Sequence, residues 1–530
     1  MKIYKGNILT CDENNTVAKY LVEENGKIAY VGDELNSSYE ECLKKAKAEL
    51  VELGEKALIP SFADNHLHFA SYATFHTGLD VMKAKSNVEV LQMLKDYVDS
   101  HPKAKMIFGF GASKHVEEGV IVSREQLDSV CPNKPVFMVK FDGHACVINS
   151  KLLEMVRSKV GNMRGFEPET GEMLDEAFYA ISDYVTNSIS ILDLVKNMQE
   201  TADFMASKGI GMFHTVSGVG FTGDLDVDLE RWFAAGLDNG LQMRVFMQTM
   251  TPKKVIKRGM KRIGGCFECA LDGAFGSANA AVLEPYEGTE ADYGVLYYDD
   301  EKVKQFCKEA NRAGLQIQLH AIGDAAVKQA ADALKYALDD YPREDHRHGI
   351  IHAMLPTKDS LEICRDYKLT IPAQSAFISW NLDEDSSTIQ LLGKERALAI
   401  NPLRTFLDYG LSVSAGSDAP CTVPDPMIWI HKACNHTTPE QSMTVQEALR
   451  MSTYEGYYAT FDEKERGSLE VGKLADMVIL SKNPYDVDKT ELKDIQIEQL
   501  LLQGKPYQKI SRGPISHILH GMLNSKKRKV

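Results

Sequence analysis

His66 and His68 stand one residue apart at the end of the apolar run in IPSFADNHLHFASY. In an extended backbone, residues two apart point to the same side. Both imidazoles can therefore reach one metal ion, with Asp64 on that side as a neighbour. Taken alone, such a pair is equally what caps an ordinary strand. Three later residues turn it into a constellation: His320 closes GLQIQLH, His352 closes HGIIH, and Asp418 follows the apolar piece of GLSVSAGSDAP. Imidazole and carboxylate donors suit a divalent metal, zinc first, with nickel, iron and manganese chemically open. Glu268, in GGCFECALDGAFGS, adds a carboxylate that could bridge two ions, offset their repulsion and leave a position for water. The set thus fits one or two metals per chain. Cys266 and Cys269 flank Glu268 as a lone CxxC. Without a second thiol pair they read as buried or surface cysteines in preference to a zinc knuckle, although their thiols are alternative donors to Glu268.

Something must bring these distant residues together. KALIPSFAD, KPVFMVKF, MRVFMQT, GLQIQLH, HGIIH, KLTIPAQ and GLSVSAG are strand candidates, and they alternate with helical stretches such as VKQFCKEANRAG and AAVKQAADALKYALDDY. This argues for an α/β domain. A closed eight-stranded barrel is favoured by the chemically loaded strand ends, because ligands converge where barrel strands finish. Periodicity by itself leaves an open doubly wound sheet available. Both termini carry hairpin patterns instead: VAKYLVEENGKIAYVG turns at Asn25-Gly26, and KLADMVILSKNPY with IQIEQLLLQGKPYQKI repeats the pattern. The expectation is a composite antiparallel β-sandwich from residues 1–58 and 463–530 around a barrel at 59–462. An elaborate excursion near 80–200 would cover a substrate pocket.

Length and composition agree with that plan. At 530 residues the chain exceeds what one hydrophobic core usually organises, and 44% apolar with 25% charged residues excludes a disordered or disulfide-scaffold protein. Sixty basic against 75 acidic residues give a net charge of −15, which opposes general phosphate-backbone binding and predicts no nucleic-acid partner. The one compact basic run, Lys526, Lys527, Arg528 and Lys529, reads as a solvated end. No apolar stretch approaches the ~18 residues of a membrane span, so no membrane association is expected. The start lacks a secretory core, and ten cysteines make no dense framework; a reduced cytoplasm is the expected location. A homodimer is reasonable for a chain of this size. GFGAS, GIGMF and GVGFTG lack the spacing of a nucleotide fingerprint and read as turns.

Taken in order, IPSFADNHLH, KFDGHACVINS, RGFEPETGE, ALDGAFGS, QLHAIGDAA, HGIIHAM, SAGSDAP and GSLEVGKLADMVIL span nearly the whole chain. Together they resemble the amidohydrolase superfamily, especially its amidohydrolase family 3 branch with proteins similar to N-substituted formamide deformylases. The resemblance implies a metal-bearing TIM-like (β/α)8 barrel, a terminal β-sandwich, and hydrolysis at the barrel's carboxyl end. It implies that His66 and His68 bind a first metal, His320 and His352 a second, and that Asp418 contacts the first and accepts a proton from the attacking water. The bridging position, often a carboxylated lysine in a KxxxDG context, is matched here by Glu268 of ECALDG, a departure that leaves a single catalytic metal as the alternative. Asn65 stands where the family commonly has serine. His144 looks like part of a pocket-forming segment and would orient a substrate carbonyl or leaving group, or else cap a loop. Asp142 and Asp272 read as turn residues, and Arg164 as a receptor for an anionic group or a solvated charge. The implied reaction is hydrolysis of a non-peptide C–N bond in a small amide-like substrate, an N-substituted amide or formamide. The alternatives are a cyclic amidase or deaminase, and a metal-binding scaffold without turnover.

Overall fold

The computed structural model describes residues 1–525 apart from positions 115, 142, 144, 219–220 and 381–386. His144, Asp142 and the basic run at 526–529 therefore lie outside the described residues.

Eight parallel strands form the central sheet: β1 Phe62–Leu67, β2 Ile210–Ser217, β3 Gln242–Met247, β4 Arg262–Ala270, β5 Gln316–Ala321, β6 Gly349–His352, β7 Thr370–Ala373 and β8 Ser412–Ala415. Each pairs with its sequential neighbour, and the segment beyond β8 returns to β1: Asp418 donates its backbone N–H to the His66 carbonyl (2.7 Å), and His68 donates to Ala419 (2.9 Å). The sequence makes that approach feasible, since a Cβ on Gly416 would sit 2.8 Å from the His66 nitrogen. Amphipathic helices such as Asp300–Arg312 and Asp324–Asp340 bury Val303, Phe306, Val327 and Leu334 against the strands. This is the α/β barrel expected from the loaded strand ends.

The chain termini meet in one seven-stranded sheet. Its order is Lys505–Pro506, Ile497–Leu502, Met477–Leu480, Glu49–Pro60, Lys2–Leu9, Val17–Glu24 and Lys27–Gly32. All its pairs are antiparallel except Lys2–Leu9 with Glu49–Pro60, which run parallel. The apolar run KALIPSFAD is thus divided between two sheets at Ser61, whose N–H donates to Asp476 O (2.9 Å) while Phe62 donates to Gly209 O (3.0 Å).

The excursion after β1 has a sheet of its own, in the order Glu172–Met173, Cys146–Ile148, Val136–Lys140, Ile107–Ala112, Leu79–Asp80. KPVFMVKF belongs here and not to the barrel. Its alternation sends Phe137 and Val139 into a core with helices Ser150–Val160 and Asp175–Thr186. Val136 and Met138 enter a second core with Val90, Leu94 and Leu127. A strand covered on both faces carries the same unbroken apolar run as a barrel strand, which is why its local pattern pointed to the barrel. Among the described residues, no helix is long and apolar enough to cross a membrane.

Candidate metal centre

β1 delivers His66 and, one step beyond its end, His68. β5 delivers His320, β6 ends on His352, and Asp418 lies three residues past β8. Their side chains converge at the carboxyl mouth of the barrel. Asp418 Oδ1 lies 3.2 Å from His66 Nε2 and 3.3 Å from His68 Nε2, and His352 Nε2 lies 3.0 Å from His320 Nδ1. The two halves touch edge to face, with the His66 and His352 ring centroids 5.4 Å apart. His352 (φ 69°) and Asp418 (φ 52°) both hold the left-handed backbone that non-glycine residues seldom adopt, local strain of the kind that collects at functional sites.

Glu268 is not part of this convergence. β4 keeps register with β5 as far as Gly265 opposite Leu319 and resumes at Ala270 opposite His320, so residues 266–269 form a bulge. The bulge puts the Cys266 thiol 3.4 Å from His66 Nε2. It leaves Glu268 exposed, with Oε1 accepting the Met250 N–H (3.1 Å). Donor atoms of His66, His68 and Cys266, of Cys266, His320 and His352, and of His66, His352 and Asp418 lie within 4.8 Å of one another, and every one of these residues is buried except His68, which keeps a narrow opening. The nearby Cys269 is fully buried and stands outside these groups.

Residues around the cluster fix which atoms face it. Gln374 donates its amide to Pro372 O (3.2 Å), so its oxygen accepts from His352 Nδ1 (2.6 Å), and the His352 Nε2 lone pair faces inward. His320 Nε2 donates to the Gly273 carbonyl (3.2 Å), which turns the Nδ1 lone pair inward as well. Two lone pairs 3.0 Å apart repel unless a cation accepts both. Burial lowers the His352 pKa to about 4, so protonation of His352 does not relieve the conflict at neutral pH. Asp418 Oδ1 is buried too, with His66 Nε2 (3.2 Å) and His68 Nε2 (3.3 Å) as its neighbours. Burial would raise the Asp418 pKa, but the His66 and His68 imidazoles hold it well below the ordinary carboxylate range, and burial keeps His66 neutral. The Cys266 thiol is pushed well up by burial and then by Asp418. Four imidazoles, a carboxylate and a thiol whose donor atoms converge fit a divalent metal.

Further residues brace these donors. Asp64 accepts from Ser417 Oγ (2.6 Å) and N–H (2.9 Å) and from the His66 N–H (3.3 Å), and burial pushes its pKa up to about 7. Asn65 donates to Ser414 Oγ (2.7 Å), tying β1 to β8. Asp272 accepts the N–H groups of Gly323 (2.8 Å), Ala281 (2.9 Å) and Ile322 (3.0 Å), which holds the turn beside His320. Gln374 escaped the sequence reading, although it closes KLTIPAQ just as His320 and His352 close their strands.

A cavity of about 390 Å³ opens over the cluster. The excursion contributes Phe110, Phe137 and Phe178 to its wall, and the barrel contributes Phe267, Phe275 and Phe377. Asp418, Glu268 and Asp183 are its carboxylates; no lysine or arginine is among the described lining residues. Burial, then Asp226, raises the Asp183 pKa to about 6. Arg164 is exposed and lies outside this lining.

Comparison with known proteins agrees with this architecture. The N-substituted formamide deformylase of Arthrobacter pascens is 24% identical over 95% of this chain and 97% of its own length. Protein LONG AFTER FAR-RED 3 of Arabidopsis thaliana is 25% identical over 91% of this chain and 87% of its own. The crystal structure of an uncharacterized metal-dependent hydrolase from Pyrococcus furiosus superposes with a TM-score of 0.71 at 25% identity, covering 91% of this chain and 99% of that one. The profile of the amidohydrolase family matches residues 49–508, and the chain belongs to that family.

Proposed function

We propose that the chain is a metal-dependent hydrolase that cleaves a non-peptide C–N bond in a small N-substituted amide or formamide. The observation that carries this reading is that Asp418 belongs to both the donor cluster and the cavity wall. A divalent metal in the cluster would be held by His66, His68, His320, His352 and Asp418. It would supply a Lewis acid for the carbonyl and lower the pKa of an attacking water. Zinc is the assignment that the nitrogen, oxygen and sulfur donors favour. Asp418, ionised at neutral pH, accepts the water's proton on a carboxylate oxygen and returns it to the leaving nitrogen. The aromatic wall excludes water and seats an apolar substituent. The carboxylates among its described lining residues, Asp418, Glu268 and Asp183, disfavour anionic substrates.

The same centre in another pocket would serve a cyclic amidase or deaminase, since the chemistry transfers more readily than selectivity. A screen of N-substituted formamides, other amides, cyclic amides and amino-heterocycles, read out as formate, other acid and ammonia, separates these reactions. Metal-dependent formate or acid release supports the proposal, and ammonia release alone replaces it with deamination. Absence of any metal-dependent product from the metal-loaded protein would leave the scaffold reading. A cytoplasmic enzyme that forms a homodimer and has no nucleic-acid partner completes the proposal.

A further inference from the structure

We propose that Cys266 is a metal ligand, its sulfur shared between the two histidine pairs in place of a bridging carboxylate. This rests on the metal-dependent reading above and assigns the donor on which a metal-bound chain would depend most.

The bulge supports the assignment at both of its candidate positions. Cys266 is the first residue out of register, and its N–H is anchored to Gln248 Oε1 (2.8 Å). That hydrogen bond fixes the backbone from which the thiol reaches the cluster. Cys266 joins the close group with His66 and His68 and the close group with His320 and His352. It also lines the cavity at 8% exposure. Phe267 then takes a left-handed backbone (φ 48°) and turns the chain. Glu268 is drawn the other way: its carboxylate accepts the Met250 N–H (3.1 Å), and its carbonyl accepts the Tyr298 hydroxyl (2.8 Å). To bridge the histidines, Glu268 would have to leave the first contact while the sulfur gave way.

The site does not rest on one cysteine. His352 Nε2 and His320 Nδ1 face each other at 3.0 Å, with Gln374 and Gly273 engaging their outer nitrogens, and the buried Asp418 Oδ1 meets His66 and His68 Nε2 at 3.2 and 3.3 Å; these convergent donor atoms call independently for a cation at the place the thiol faces. As a sulfur–metal bond forms, the S–H proton leaves to solvent, and no oxidant or other reactant is required. A soft thiolate among imidazoles selects zinc, cadmium or cobalt over magnesium and manganese, which favour all-oxygen sites.

The test is optical and needs no substrate. The full-length chain is stripped of metal and titrated with cobalt(II), with bound cobalt measured by elemental analysis. A thiolate-to-cobalt charge-transfer band in the near ultraviolet is expected to grow with bound cobalt, to vanish in Cys266→Ser, and to persist in Glu268→Gln. Cobalt uptake by the unaltered chain without that band overturns the assignment while leaving a histidine and carboxylate centre, and with it the hydrolase reading, intact. Failure to take up cobalt, zinc or cadmium overturns both. A band that survives Cys266→Ser and Cys266→Ala assigns the sulfur elsewhere and also overturns the proposal. Should these variants not fold, alkylation of the unaltered chain decides. Iodoacetamide labelling of the Cys266 peptide should be suppressed by zinc, with the half-exposed Cys42 labelled equally with and without it; equal labelling of Cys266 in both states rejects the assignment.

Discussion

Two His-x-His pairs lie at opposite ends of the same barrel, and their surroundings differ completely. His346 and His348 precede β6 at the foot, and His66 and His68 finish β1 at the mouth. At the foot every ring nitrogen is engaged. His346 Nε2 donates to Tyr367 O (2.9 Å) and Nδ1 accepts the His348 N–H (2.9 Å). His348 Nδ1 accepts the Ile317 N–H (3.0 Å), and its Nε2 meets Asn311 Oδ1 (3.0 Å). Arg347, between them, pairs with Glu463 (2.8 Å), and the adjacent Asp462 takes two 3.0 Å bonds from Arg244. At the mouth, His66 Nε2 and His68 Nε2 lie 3.2 and 3.3 Å from Asp418 Oδ1, and the Cys266 thiol lies 3.4 Å from His66 Nε2, so potential metal donors face one another. In these two pairs one residue type serves structure where backbone and amide groups close its hydrogen bonds, and chemistry where its nitrogens converge on a carboxylate and a thiol that a cation can bind together. Changes at the mouth should therefore alter metal and turnover, and changes at the foot should alter stability.

The largest effect belongs to the mouth. Asp418→Asn keeps the volume but removes both the negative charge and the proton acceptor, so turnover of a metal-loaded variant should fall at least ~1,000-fold. Thermal unfolding should shift far less than turnover, since asparagine keeps an oxygen where Asp418 Oδ1 meets His66 Nε2 (3.2 Å) and His68 Nε2 (3.3 Å). Full turnover by the metal-loaded variant would remove Asp418 from the proton path.

Asp462→Ala is its counterpart at the foot. It takes the carboxylate from the buried Arg244 guanidinium, leaving its charge to neutral acceptors such as Met243 O (3.0 Å), and removing one partner of a buried ion pair costs about 3–5 kcal/mol. Urea denaturation should register that loss while elemental analysis finds unchanged metal content. A parallel drop in bound metal in the folded variant would mean that the two ends are coupled.

The foot also predicts a pH dependence. Burial, opposed by the Tyr367 carbonyl, lowers the His346 pKa from 6.5 to about 4. Between those values the unfolded chain binds a proton that the folded chain refuses, so stability rises with pH. The His346 contribution is complete above about pH 6.5 and falls through that window, by roughly 2–3 kcal/mol near pH 4.5. Urea midpoints of His346→Gln should vary less with pH across this range than those of the unaltered chain; identical pH slopes would remove His346 as a cause.

Legibility in the sequence divides along similar physical lines. β5, β6 and β8 were readable because each is an apolar run leading to a polar residue at the mouth. β2, IGMFHTVS, was passed over because it buries His214, Thr215 and Ser217, which break the apolar pattern. β4 was passed over as well. Gly264 has φ +121°, and a Cβ there would lie 1.8 Å from Gln318 O, so close strand contact demanded a residue without strand propensity. The bulge after Gly265 likewise explains why matching ECALDG pointed to Glu268 while the thiol of Cys266 faces the histidines. Extra residues change which side chains face inward, and no period-2 count continues across them.

The subtlest difference between mouth and foot concerns Gln374. It donates nothing to the cluster, but its oxygen holds the proton on His352 Nδ1 and thereby aims the Nε2 lone pair at His320. Leucine at this position removes that constraint. Without metal, His352 can then take the other tautomer and donate Nε2–H to His320 Nδ1, replacing repulsion with a hydrogen bond. Metal affinity of Gln374→Leu should fall about 10–100-fold, the usual cost of losing a group that orients a histidine ligand. Stability of the metal-free protein should hold or rise, whereas deleting a satisfied hydrogen bond at the foot lowers it. Competition with a chromophoric chelator measures the first quantity and metal-free urea unfolding the second. A metal-free protein that is weakened while its affinity is unchanged would place Gln374 with the structural residues of the foot, and the tautomer of His352 would then have to be set by another neighbour.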